Sequence, residues 1–318
     1  MNKKLLAISA CLVALSFVAG GCLEAKQDFQ VHSDGSGTIE MDFKLGKEIS
    51  GMASAEFEGK DQAQLDAMAA AQMGDQFEGV YWESLSQKVV DGQVVLHGKG
   101  VFADVNKVKM VSEEMDMDSA MEEGAEPKMV KKEQLSFKFE QTEAGGKLFM
   151  NMDSGQKGMG DMGAPEGMEG NEEMAKEMAK MMEEAMKPMF EQLKGFSFRV
   201  SAKVPGEVTK SGLQDLGEGR HGVQIDVGTI KKQAMAGKSG MSGTIEWKGK
   251  QAAPTGFAER VAKAKKAWEA GAKERKELKE KLEAEKAEGG ELDLEELEKK
   301  LKEAEGEMEP EKKSGEGK

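Results

Sequence analysis

Two stretches of this chain alternate apolar and polar residues on either side of turn chemistry, and that alternation commits it to antiparallel hairpins. In the first, Phe29 and Val31 are two apart, and so are Ile39, Met41, Phe43 and Leu45. Each set therefore falls on one face of a strand. Between them, His32-Ser33-Asp34-Gly35-Ser36-Gly37 supplies turn residues, with glycines free to take positive φ. In the second, a strand opened by Val80-Tyr81-Trp82 runs to Val90, Asp91-Gly92 turns the chain, and Val94-Val95-Leu96 leads back to Phe102. Asp-Gly between β-branched pairs is a strong short-range hairpin signal. The Asp34 loop lacks the spaced oxygen ligands of a calcium loop, so it reads as a plain turn.

Further strands are expected at Leu135, Phe137 and Phe139, then after an Ala144-Gly145-Gly146 turn at Leu148-Phe149-Met150. Alternation resumes at Phe196, Phe198, Val200, Ala202 and Val204, closed by Pro205-Gly206, and last strands are expected at Val223–Val227 and Thr244–Trp247. Helices alternate with these strands. Asp61 fits an N-cap for a helix to Met73, with Leu65, Met68 and Gln72 on one face and Gly74 ending it. Asp104 is expected to cap a short helix through Val111, and residues 112–134, acidic and patternless, read as a loop. Glycines dominate residues 153–170, the composition of a flexible linker.

Asn171 to Leu193 reads as the most regular helix, although Pro188 should kink or end it. Its stripe is methionine: Met174, Met178, Met181 and Met189 keep helical spacing, with Met182 and Met186 beside them. Beyond Pro254 the composition shifts to Lys, Glu and Ala. Phe257, Val261, Ala264 and Trp268 step at helical spacing, Leu278 and Leu282 extend the stripe, and Gly289-Gly290 breaks it. At about 1.5 Å per residue, residues 257–288 would reach roughly 48 Å as a charged spacer or coiled-coil partner surface. Asp293 then fits an N-cap for a second helix through Ala304, and residues 305–318 have the composition of a disordered tail.

The first 22 residues decide where such a chain would reside. Lys3 and Lys4 precede an apolar run from Leu5 to Ala19, followed by Gly20 and Gly21, the layout of a secretory signal peptide over residues 1–21. The run is shorter than the ~20 residues that a membrane span needs. Val18-Ala19-Gly20-Gly21-Cys22 resembles the lipobox of bacterial lipoproteins, which implies that Cys22 becomes the acylated N-terminus. Cys11 follows small residues too, but cleavage there would leave only a few apolar residues ahead of it. Several acyl chains on one terminus suffice for stable anchoring. Leu23 rather than Asp after the cysteine favours the outer membrane, by resemblance to sorting in double-membraned bacteria. With Cys11 removed and Cys22 acylated, the mature chain has no free thiol, so neither a disulfide nor a thiolate site is available.

Charge and motif content narrow the function further. The chain carries 45 basic and 59 acidic residues, a net charge of −14; loss of Lys3 and Lys4, with no acid in the leader, lowers it to −16. Nucleic acid and anionic lipid are therefore poor partners. His32, His97 and His221 have no neighbour at metal-ligand spacing. No nucleophile-elbow, zincin, P-loop or dinucleotide motif is present, and the chain reads as non-enzymatic with no cofactor. Thioethers are soft ligands for Cu(I), which makes Met174, Met178, Met181 and Met182 candidate copper ligands. The alternative is that the same stripe serves simply for apolar packing.

Three features together resemble the LppM-type domain of bacterial envelope lipoproteins. They are the Cys22 lipobox, the hairpin around Asp34-Gly35-Ser36, and the segment from Phe198 through Pro205-Gly206-Glu207-Val208, followed by Gly222–Val227. The resemblance implies a small twisted antiparallel sheet or partial barrel over residues 22–250, with helices packed on it and an insertion at about 112–194. It carries no catalytic residues. Where that family often continues into a transmembrane helix, this chain has its charged helical segment at 255–304. The fold expected is α+β with a charged α-helical tail. The function expected is a lipid-anchored binding or scaffolding module of the cell envelope, on the extracytoplasmic side. The membrane would be its partner through the acylated terminus and another envelope protein through the C-terminal helices. A carrier enclosing an apolar ligand in a half-barrel is the alternative, beside copper handling.

Overall fold

The computed structural model describes residues 23–46, 60–115, 129–153, 195–230 and 241–289, together with Ser50 and Phe57. The expected signal peptide, Cys22, residues 154–170 of the expected linker, the expected methionine-rich helix, and the second helix and tail expected beyond residue 289 lie outside these residues.

Both expected hairpins form. Strands β1 (Glu24–Val31) and β2 (Gly37–Lys44) make the first, and β4 (Tyr81–Val90) and β5 (Gln93–Phe102) make the second. Asp91 and Gly92 take φ of 52° and 75°, as a two-residue turn matched to the strand twist requires. Strands β9 (Ser197–Lys203), β11 (Gln214–Asp215) and β12 (Arg220–Asp226) join them in a seven-stranded sheet ordered β11-β12-β9-β1-β2-β5-β4. Every neighbour is antiparallel except β1 and β9, which run parallel.

A second sheet of six strands is ordered β10-β13-β8-β7-β6-β3. Its members are β3 (Phe77–Glu78), β6 (Lys109–Met115), β7 (Met129–Gln141), β8 (Gly145–Met152), β10 (Glu207–Ser211) and β13 (Met241–Lys248). The antiparallel expectation thus holds for an α+β fold of two open sheets. Alternating residues of both sheets meet between them: Phe29 lies 4.8 Å from Phe137 ring to ring, with Ile39, Met41, Leu135, Leu148, Met150 and Ile245 fully buried around them.

Several local expectations are corrected. Asp104 caps a 3₁₀ turn at Val105–Lys107, accepting from the Asn106 amide at 3.0 Å, and not a helix to Val111. Val105 and Val108 are fully buried there, so the chain goes directly into β6. Residues 112–134 are not all loop, because the β6–β7 ladder continues as far as Met115 and Met129. Backbone hydrogen bonding extends such a ribbon without help from side-chain alternation. Gly145 and Gly146 belong to β8, paired with Lys248 and Trp247 of β13, and the turn falls just before them. Strands β7 and β8 hold the middle of the second sheet, inside the span expected as an insertion.

Helix α1 (Gln62–Met73) is capped reciprocally: Asp61 accepts from the Gln64 amide at 2.9 Å, and its own amide donates to Gln64 Oε1 at 2.9 Å. Leu65, Met68, Ala69 and Ala71 are its buried residues, Gln72 remaining half-exposed. The C-terminal helix divides at Gly271 into α2 (Phe257–Ala270) and α3 (Ala272–Gly289). Neither stands free. Helix α2 lies over β4 and β5, and α3 packs against α1. The stripe expected to serve an extended spacer is used inside the fold: Phe257, Val261 and Ala264 are buried against Val101, with Tyr81 at the edge.

Candidate functional site

Alternation in β1, β9 and β12 sends one set of residues to the core and the other to the outer face of the seven-stranded sheet. Phe29, Val200, Ala202 and Val223 go inward, leaving Lys26, Asp28, Arg199, Ser201, Lys203 and Arg220 on the outer face. The parallel register sets Asp28 beside Ser201 and Lys26 beside Arg199, while the antiparallel one sets Arg220 opposite Lys203. Three of these cations, Lys26, Arg199 and Arg220, approach the Asp28 carboxylate, in a chain whose net charge is −14. Like charges directly opposite across strands are unfavourable unless something neutralises them.

Asp28 is that neutralising group, and it is only 6% exposed. Lys26 Nζ lies 2.8 Å from Oδ2, and the guanidinium groups of Arg199 and Arg220 lie 3.7 and 3.9 Å from Oδ1. The Ser201 hydroxyl donates to Oδ1. Burial pushes the carboxyl up, but Lys26, the Ser201 hydroxyl and Arg220 outweigh it and hold the group below the ordinary carboxylate range. It stays ionised at neutral pH and is poorly suited to proton transfer. Arg199 Nε and Arg220 Nη1 are buried without a hydrogen-bond partner, and Arg220 Nη1 meets Asp28 through the ion pair alone.

Beside the cluster, Gln30, Thr38, Ile39, Glu40, Lys99, Gly100 and Arg260 line an open cleft of about 270 Å³ between the sheet and α2. Arg260 reaches across to Glu83 in a two-pronged contact, Nε to Oε1 at 2.7 Å and Nη2 to Oε2 at 2.6 Å. A bulge makes this possible: Trp82 pairs with Gly100 and Ser84 with Lys99, leaving Glu83 the extra residue. Lys99 and Glu40 pair at 3.3 Å on the cleft wall. The outer face is therefore polar and dense in charges of both signs.

The histidines do not come together. His32 is buried edge-on against Phe257 at 4.5 Å, His97 contacts Asp42 at 2.7 Å, and His221 has a buried Nδ1 without a partner. Among the described residues no group of His, Cys, Asp or Glu is arranged to hold a metal. Cys22 and the copper candidates Met174, Met178, Met181 and Met182 lie outside the described residues. The position next to Cys22 does not: Leu23 is 3% exposed, and its carbonyl accepts from the Ser197 amide at 2.8 Å.

The Asp28 cluster escaped the sequence reading. Its signal was there, in charged residues at every second position of strands assigned from their apolar partners.

No protein-family model and no curated protein matches this chain. Among solved structures it is similar to the NMR structure of the folded domain of the LppM protein of Mycobacterium tuberculosis, at 11% identity and a TM-score of 0.30. The alignment covers 73% of this chain and 93% of that one. The likeness is loose. The fold described above rests on strand register alone.

Proposed function

We propose that this chain is a lipid-anchored, non-enzymatic protein of the cell envelope whose polar sheet face binds or scaffolds a partner. The observation that supports anchoring is the setting of the residue next to Cys22: Leu23 is buried and β1 begins at Glu24, so cleavage ahead of Cys22 leaves every described strand intact.

The binding role is supported by the outer face. Its best-formed polar group, Asp28, is locked among cations and kept ionised, an arrangement for holding charge in place rather than for turning over a substrate. The carrier alternative needs an apolar cavity between the methionine-rich helix and the sheet, and the residues of that helix lie outside those described. The copper alternative depends on residues outside those described.

Intact-mass spectrometry of the protein extracted from its native membrane tests the anchoring. The expected mass is that of residues 22–318 plus an acylated glyceryl group on Cys22. An intact Met1, or an unmodified Cys22, would overturn the reading.

A further inference from the structure

We infer that one end of the seven-stranded sheet rests directly on the bilayer that holds Cys22, with Val89, Val90, Leu45, Val227 and Ile230 turned to the lipid. The inference rests on the proposed acylation of Cys22 and deepens it, from attachment to orientation.

The anchor has no slack. Leu23 is buried and hydrogen-bonded to Ser197. Consecutive Cα atoms lie about 3.8 Å apart, so a lipid on residue 22 begins within one peptide unit of the sheet. The body has no tether on which to stand away from the surface.

Strand register identifies which residues share that end. Glu24 pairs with Lys44 on one side and Ser197 on the other, Ser197 with Asp226, and Lys44 with Val95. The residues just past these partners, Leu23, Leu45, Phe196, Val227 and Val94, therefore form a single rim. Val94 pairs with Val89 and Gln93 with Val90, so the tip of the second hairpin stands on the same rim.

The chemistry of the rim is apolar. Leu23 and Phe196 are its buried centre, and Phe43, Leu45, Phe198, Ile225, Val227 and Ile230 pack around them only partly covered. Val89 and Val90 are 42% and 48% exposed, two of the three large apolar side chains left open among the described residues. Exposed valines on a hairpin tip suit an interface with lipid. Lys44, Lys88, Asp91 and Asp226 border the rim with mixed charge, so the expected surface is zwitterionic lipid and not anionic lipid.

The mature lipoprotein has no thiol other than the acylated Cys22, so each single substitution Val90→Cys, Ile230→Cys or Lys107→Cys places one reactive cysteine. Lys107 is the distal control: its 3₁₀ turn bonds to the far end of the β1–β2 hairpin, Val105 N–H donating to Gly35 O at 2.8 Å. Each variant is spin-labelled, reconstituted in phosphatidylcholine vesicles, and its collisions with oxygen and with a water-soluble nickel chelate are measured. Mass spectrometry of the same samples reports the acyl group on Cys22. The expected result is oxygen collision exceeding nickel several-fold at positions 90 and 230, with the order reversed at 107. Acylated Cys22 with labels at 90 and 230 as open to nickel as that at 107 would overturn the orientation and leave the anchor standing. An unmodified Cys22 would overturn both.

Discussion

Gly74→Ala tests, through the sign of its effect, whether the C-terminal helices are docked. Gly74 closes α1 with ordinary right-handed helical angles, φ −61° and ψ −39°. Alanine fits that backbone, and on conformational entropy alone it should stabilise by about 0.4–1 kcal/mol. The fold reverses this. A Cβ at position 74 would lie 2.6 Å from Cη2 and Cζ2 of Trp268 in α2, where carbon atoms normally rest about 3.5–4.0 Å apart. The ring would have to retreat by about 1 Å, and it is not free to do so. The Arg275 guanidinium stacks on it at 3.4 Å from the ring centre and donates to the Trp268 carbonyl at 2.8 Å. Overpacking of this kind costs about 1–3 kcal/mol, so a net loss of about 1–2 kcal/mol is expected. Peptide-resolved hydrogen exchange should then show residues 257–270 exchanging roughly 5–30-fold faster. With Trp268→Ala already in place, the same Gly74→Ala change should become neutral or stabilising. A stabilising effect of Gly74→Ala with Trp268 intact would refute the docked arrangement.

Three further outcomes follow from the same contacts. Phe257→Ala should cost the α2 interface about 3–5 kcal/mol, seen as lost exchange protection in α2 while β1 and β2 keep theirs. Asp28→Asn leaves Lys26, Arg199 and Arg220 without their counter-charge, and urea denaturation should show a loss of about 3 kcal/mol at neutral pH. Because the Asp28 carboxyl is held low in the fold, the unfolded chain takes up that proton first. Its contribution is present above about pH 4 and fades below it, and the variant should lack that part of the acid dependence. His32 is also shifted down, by burial first and by Arg260, with Asp34 opposing. Its contribution is therefore whole above about pH 6.5 and declines in acid, and His32→Gln should flatten the fall in denaturation midpoint between about pH 7 and 5.

What could be read from the sequence was local. Asp34-Gly35 and Asp91-Gly92 announced their hairpins because turn chemistry and alternation sit within a few residues of each other. Asp61 announced α1 because its capping partner Gln64 is three residues on. What was missed is joined over long distances. Asp28 and Ser201 are 173 positions apart, and nothing local to either says that β1 and β9 will lie side by side. Trp268 was seen as one step of a helical stripe, but its partner Gly74 looked like a stop signal for a different helix. The short strands β3 and β11 have two residues each, too few to show any period. The return of α3 onto α1 has no local signal either.

The position of β1 has a consequence for the order in which the molecule is completed. It is the first strand among the described residues, yet it lies inside its sheet, with β2 along one edge and β9 along the other. A chain synthesised N-terminus first can zip β1 to β2 almost immediately. The opposite edge must wait for residues 197–203, with its amide and carbonyl groups open to any extended segment that passes. Such late, distant pairing is slow. The vulnerable interval for this protein is therefore its own synthesis, and a companion that shields a naked strand edge would matter most to it then.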